Sequence, residues 1–213
     1  MIKLVVFDFD GTIADTGALS VEIFQEMSRK HGIPVLSAEE IEEMRKLPIR
    51  KRLKLVSVPL RKVPKLMKES WGMMKEKIGS TQPFEGIVDV LHRIQGKVPL
   101  VILSSNHADN INTFMAVHNL DAFDNVIGAA KLFGKEKPLR KLLKTYDLAP
   151  SEVLYVGDEI RDIVSTQKLG IPIASVSWGF DAKEALALAD PTILCDTPAE
   201  LQDAILSRIK KDA

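Results

Sequence analysis

Residues 2–13 read Ile-Lys-Leu-Val-Val-Phe-Asp-Phe-Asp-Gly-Thr-Ile. A nearly unbroken apolar run ends in two carboxylates, Asp8 and Asp10, one residue apart and followed by Gly11. A run that is apolar on both of its alternating faces predicts a strand buried on both sides, as in a parallel sheet covered by helices. In open α/β sheets, ligands bind beyond the carboxyl ends of the strands, so the two acids stand where a site belongs. Gly11 permits a tight turn, and the N–H groups of Gly11 and Thr12 suit an anion. An ordinary turn has no need of two acids at the end of such a strand.

Further along, residues 98–103, 153–156 and 171–176 are also continuously apolar, with 126–128 a weaker candidate strand. Between them Leu139, Leu142, Leu143 and Tyr146 recur at helical spacing, as do Ile111, Phe114, Met115 and His118. Strands alternating with helices predict an α/β fold around a parallel sheet. From about residue 19 to 78 the pattern is helical without a convincing strand, which reads as an inserted helical domain. The expected division is a core of residues 1–16 and 81–213 and a helical insertion of residues 17–80.

Composition agrees. The 213 residues are 46% hydrophobic and 27% charged, enough for a globular core and wrong for disordered, collagen-like or coiled-coil chains. Cys195 is the single cysteine, so no internal disulfide forms, and no Cys/His cluster has zinc spacing. A reducing, cytoplasmic setting is expected. Residues 2–7 are too short, and carry Lys3, for a signal peptide or membrane span. The neutral total of 29 basic and 29 acidic residues hides an asymmetry: residues 39–77 hold 12 basic and 6 acidic, leaving −6 on the rest. Residues 45–68 contain ten basic residues and no acidic one.

Two more strand ends carry polar groups. Gly157-Asp158-Glu159-Ile160-Arg161-Asp162 follows the third apolar run. With a helix starting near Glu159, Asp158 and Asp162 lie one turn apart and can face one point, as hard-cation ligation by oxygen requires, Mg²⁺ being the natural candidate. The alternative is a helix cap and a partner for Arg161. Leu103-Ser104-Ser105-Asn106 presents hydroxyl and amide groups suited to a phosphoryl oxygen, although Ser105 and Asn106 serve equally well as helix caps. Lys135 and Lys137 follow the Phe133-Gly134 turn, at a helix start where a cation opposes the dipole. The sequence does not choose between them.

These four pieces, in this order, resemble the haloacid dehalogenase superfamily of aspartate-dependent phosphohydrolases. With Trp178-Gly179 and the stretches 189–192 and 198–201, the chain resembles its phosphoglycolate-phosphatase-like branch, which carries a helical cap between the first two motifs. The resemblance implies a Rossmann-like three-layer core in which the strands ending at Asp8, Ser104 and Asp158 lie side by side. It implies Asp8 as nucleophile forming an aspartyl-phosphate and Asp10 as general acid. Mg²⁺ would be held by Asp8, the Asp10 carbonyl and Asp158, with Asp162 as ligand or support. Ser104 would bind a phosphoryl oxygen, with Gly11, Thr12, Ser105 and Asn106 around it. A lysine would offset the charge, and the Phe-Gly turn favours Lys135 although Lys137-Pro138 is the Lys-Pro pair. Asp10 disfavours dehalogenation, since metal-free dehalogenases generally lack this second acid.

The expected substrate is a small phosphorylated metabolite, met by Arg45, Lys46, Arg50 and Arg52 on the basic cap. A phosphomutase shares all these residues. Nucleic-acid binding ranks below, because no aromatic residue interleaves the basic run, and a binding module without turnover sits poorly with the intact acidic set. His31, His92, His107 and His118 form no constellation, and no Gly-x-Ser-x-Gly elbow supports acyl transfer. A monomer or homodimer without a membrane partner is expected.

Overall fold

Six short strands lie parallel in the order β3-β2-β1-β4-β5-β6: β1 (Leu4–Phe7), β2 (Leu100–Leu103), β3 (Asn125–Ile127), β4 (Val153–Gly157), β5 (Ile173–Val176) and β6 (Ile193–Cys195). The computed structural model describes residues 1–129 and 134–209. Phe133, the first residue of the expected Phe133-Gly134 turn, lies outside them.

Alternation of side chains divides the strands between two cores. Val5, Phe7, Ile102 and Val156 pack on one face beneath α5 (Ile87–Ile94), α6 (Ala108–Val117) and α10 (Pro198–Leu206). Leu4, Val6, Leu103 and Tyr155 pack on the other beneath α7 (Glu136–Thr145), α8 (Ile160–Gln167) and α9 (Lys183–Leu188). This is the expected three-layer arrangement. Chain order runs outward from β1 to β2 and β3, then returns to the other side of β1 for β4. The reversal between β1 and β4 is the switch point at which open sheets place ligands.

Two strands start later than their apolar runs for a local reason. Pro99 and Pro172 have no N–H for the ladder, so β2 begins at Leu100 and β5 at Ile173. Ile2 makes only an isolated bridge to Ile209. The edge strand β6 was not expected; three residues are too few to show a period, and its Cys195 is a buried packing residue.

Between β1 and α5 the chain is helical: α1 (Gly17–His31), α2 (Ala38–Arg45), α3 (Ile49–Leu55) and α4 (Val63–Lys77), with short 3₁₀ turns. A reciprocal Ser37/Glu40 capping box starts α2. Val56, Val58 and Val63 form a small separate core with Phe24 and Leu36. Among the described residues, no helix is long and apolar enough to cross a membrane.

Candidate active site

The turn after β1 places two carboxylates in different surroundings. Asp8 is 1% exposed: its Oδ1 accepts the N–H of Phe9 at 2.7 Å, and its Oδ2 accepts Lys135 Nζ at 2.5 Å. Asp10 lines a cavity of about 240 Å³, and its Oδ1 accepts the Asn106 amide at 3.1 Å. Burial first, then the charge of Asp8, push the Asp10 carboxyl up to about 6, against the opposing effect of Thr16, Asn106 and Arg161.

Of the two candidate lysines the structure brings Lys135 to the site. It stands at the start of α7, is 2% exposed, and adds contacts to Tyr155 Oη (2.7 Å) and Asp162 Oδ1 (2.8 Å). Burial alone would lower its pKa, but Asp162 and Asp8 outweigh this and raise it, so the ammonium keeps its charge. Lys137 is exposed. Tyr155 in turn donates to the Leu103 carbonyl at 3.3 Å, tying the lysine to the end of β2.

The turn after β4 supplies the remaining acids. Oxygens of Asp8, Glu159 and Asp162 lie within 4.8 Å of one another. Asp162 Oδ2 is buried without a hydrogen-bond partner, and burial, tempered by Lys135 but reinforced by Asp8, lifts this carboxyl to about 7. Three converging oxygens, one orphaned and all in mutual repulsion, fit a hard divalent cation. Asp158 stands apart from that triad. Its oxygens accept Thr12 Oγ1 (2.8 Å) and the Phe180 N–H (2.7 Å), and burial, then the charges of Glu159 and Asp8, raise its pKa well above the usual carboxylate range. Gly11 has φ +75°, and a Cβ there would fall 2.1 Å from Asp158 Oδ2, so the turn and the acid fit only because no side chain intervenes.

Gly11, Ser105 and Asn106 line the cavity. Ser104 is fully buried, its Oγ accepting the Asn106 N–H at 3.1 Å, so it shapes the loop from behind. Thr12 does not face the cavity either; its hydroxyl is engaged by Asp158. His107, not Ser105 or Asn106, caps α6, its Nδ1 accepting the Asp109 N–H.

The basic helical segment also differs from expectation. Arg45 is no cavity residue: it donates to the carbonyls of Phe180 (2.9 Å) and Gly179 (3.1 Å). Of Arg45, Lys46, Arg50 and Arg52, only Arg52 lines the cavity. Its buried guanidinium pairs with buried Asp181, donates to the Leu47 carbonyl (2.7 Å), and lies 5.4 Å from the Phe180 ring centroid. Trp71 completes the contact, its indole N–H donating to the Ser105 carbonyl at 3.0 Å.

Sequence reasoning also passed over Glu159 and Arg161. Arg161 pairs with Glu159, and its Nη2 lies 3.3 Å from Ser105 Oγ and 4.0 Å from Asp8 Oδ2. The signal was present, since both lie between Asp158 and Asp162 in sequence, but a charge pair at a helix start reads first as capping.

Comparison with known proteins places this geometry. Residues 5–176 match the haloacid dehalogenase-like hydrolase family model. The phosphoglycolate phosphatase of Synechococcus elongatus is 26% identical, covering 99% of this chain and 100% of its own. The N-acetylmuramic acid 6-phosphate phosphatase of Pseudomonas aeruginosa is 25% identical over 96% of this chain and 95% of its own. A solved haloacid dehalogenase-like family hydrolase from Streptococcus pneumoniae superposes with a TM-score of 0.79 at 22% identity, covering 96% of this chain and 98% of that one, which establishes the shared fold. Since the family model spans most of the chain, from β1 through β5, the protein belongs to the haloacid dehalogenase-like hydrolases.

Proposed function

We propose that this chain is a Mg²⁺-dependent phosphoric monoester hydrolase acting through an aspartyl-phosphate, with residues 1–16 and 81–213 as catalytic core and residues 17–80 as cap. The observation that carries the reading is the pair of carboxylates at the switch point: Asp8 held by a buried lysine, Asp10 on the cavity wall held by the uncharged Asn106 amide. One is fixed as a nucleophile would be; the other is free to exchange a proton with a bound substrate.

In this reading an Asp8 oxygen attacks phosphorus in line while the bond from phosphorus to the alcohol oxygen breaks, and Asp10 gives its proton to that oxygen. Asp10, now a carboxylate, takes a proton from water as the water oxygen attacks the same phosphorus. The bond between Asp8 and phosphorus then breaks, releasing phosphate and restoring both acids. Lys135 holds Asp8 and offsets charge, while Gly11, Ser105 and Asn106 meet the phosphoryl oxygens, with Ser104 shaping that loop. Asp8, Glu159 and Asp162, whose oxygens converge, would hold Mg²⁺, with the Asp10 carbonyl and Asp158 completing the set that the resemblance implies; when bound the ion would withdraw charge from the phosphoryl group. Thr12 keeps Asp158 in place.

The substrate is a small phosphorylated metabolite; the names of the relatives bring phosphoglycolate and N-acetylmuramic acid 6-phosphate as candidates. Phosphate release from a phosphomonoester panel, with Mg²⁺ and with EDTA, tests the reaction. Activity should require Mg²⁺, vanish in Asp8→Asn without loss of fold, and fall by about 10²–10⁴-fold in Asp10→Asn. Near wild-type turnover by Asp8→Asn overturns the nucleophile assignment.

A further inference from the structure

We infer that the alcohol half of the substrate is uncharged and largely apolar, an inference that rests on the phosphatase reading above. Beyond Asp10 the cavity has an apolar wall of Ile49, Met67, Trp71, Met74 and Phe180, with the hydroxyl residues Thr16, Ser20 and Ser70 also lining it. At about 240 Å³ it is smaller than the usual range for drug-sized ligands, so it suits a small group.

Among the described residues, its lining includes two cations. Arg161 belongs to the phosphoryl end, against Glu159 and near Asp8. Arg52 is the cation on the helical side, and it is committed to Asp181, the Leu47 carbonyl and the Phe180 ring. Trp71 brings carbon surface rather than a donor, because its N–H is already given to Ser105. A carboxylate on the leaving group would exchange water for contact with this apolar wall, beside a cation already neutralised by Asp181, which is unfavourable without a new partner. Ser20 and Thr16 on the same wall leave room for a hydroxyl. A second, almost wholly apolar cavity of about 180 Å³ shares Ser20, Ile49, Arg52 and Phe180 with the first, extending the apolar surface into the helical segment.

The test is kcat/KM with Mg²⁺ for the near-isosteric pair propyl phosphate and 2-phosphoglycolate, with benzyl phosphate as a larger apolar member and 4-nitrophenyl phosphate as a general reporter. Propyl phosphate should exceed 2-phosphoglycolate by at least about tenfold. Ile49→Lys, which adds a cation to the chamber wall, should shift that ratio at least about tenfold toward 2-phosphoglycolate. Met67→Lys repeats the test should the first variant fail to fold, and the ratio cancels any general loss of activity. Equal or better turnover of 2-phosphoglycolate by the wild type, or an unmoved ratio in a folded lysine variant, overturns the inference and leaves the phosphatase reading standing. No Mg²⁺-dependent release from any compound, 4-nitrophenyl phosphate included, overturns the phosphatase reading itself.

Discussion

Removing Arg52 should cost more stability than removing any lysine on the exposed face of the same basic run, and the loss should depend on pH. Arg52 and Asp181 are 129 residues apart in sequence and 6% and 1% exposed. Arg52→Met keeps the apolar stem and strands the Asp181 carboxylate, whose other partner is the Ile160 N–H at 2.7 Å. Breaking a buried pair from one side costs about 3–5 kcal/mol. A stranded carboxyl can instead take a proton. From its ordinary value of 3.8, protonation at about pH 7.5 costs about 1.4 kcal/mol per unit over about four units, so the loss is capped near 5 kcal/mol.

In the wild type, burial and then the Glu159 charge already push Asp181 up to about 6, against the pull of Arg52 and the Ile160 N–H. Its pKa is raised on folding, so its own contribution is fully present below 3.8 and is lost as pH rises through about 6. The ion pair exists only above that range. The gap between wild type and Arg52→Met should therefore be widest at neutral pH and shrink as pH falls through about 6. Thermal unfolding in EDTA at about pH 7.5 and about pH 5 reads this directly: about 2–4 °C per kcal/mol for a chain of this size gives roughly 6–20 °C at the higher pH. Arg52→Met with Asp181→Leu should recover most of the loss, since neither charge is then left alone. A loss below about 1 kcal/mol at neutral pH, or an equal loss at both pH values, would refute the buried pair and with it the closed contact between helical segment and core.

Two further outcomes follow from single atoms. A Cβ on Gly179 would lie 2.3 Å from Asp158 Cβ and 2.4 Å from the Gly11 carbonyl, so Gly179→Ala should lower the unfolding free energy by about 1–3 kcal/mol, read by denaturant titration, and reduce turnover; wild-type values for both would contradict that packing. Cys195 is buried, and burial, then Glu200, push its thiol up to about 11, so an aromatic disulfide reagent at about pH 8 should label it only as the protein unfolds. Fast stoichiometric labelling of the folded protein would show the site to be open.

What the sequence disclosed was local. Apolar runs marked five of the six strands, and prolines at 99 and 172 trimmed two of them, because a missing N–H acts at its own position. The acids at strand ends pointed to the site because two carboxylates after one buried strand exceed what a turn needs, and a second strand end repeats the pattern. Lys135 carried a weaker sign, a cation set against a helix dipole, and it is the lysine that contacts Asp8. The Thr12 hydroxyl is given to Asp158 rather than to the cavity, and nothing in the spacing distinguishes those partners.

The basic run shows where local reading stops. Ten cations in sequence suggested a field that draws in an anionic substrate, yet the side chains that reach the core spend themselves on it: Arg45 on two carbonyls of the 179–180 loop, Arg52 on Asp181. Within residues 39–77, Lys46 is paired with the neighbouring Glu43, while Arg52 carries its charge to Asp181 in the core. Asp181 sits in no charge run, so its pairing exists only once β5 and the helical segment have come together. A charge visible in sequence specifies how much field a segment carries; its partner, and hence whether it recruits a substrate or closes a lid, is set by the fold.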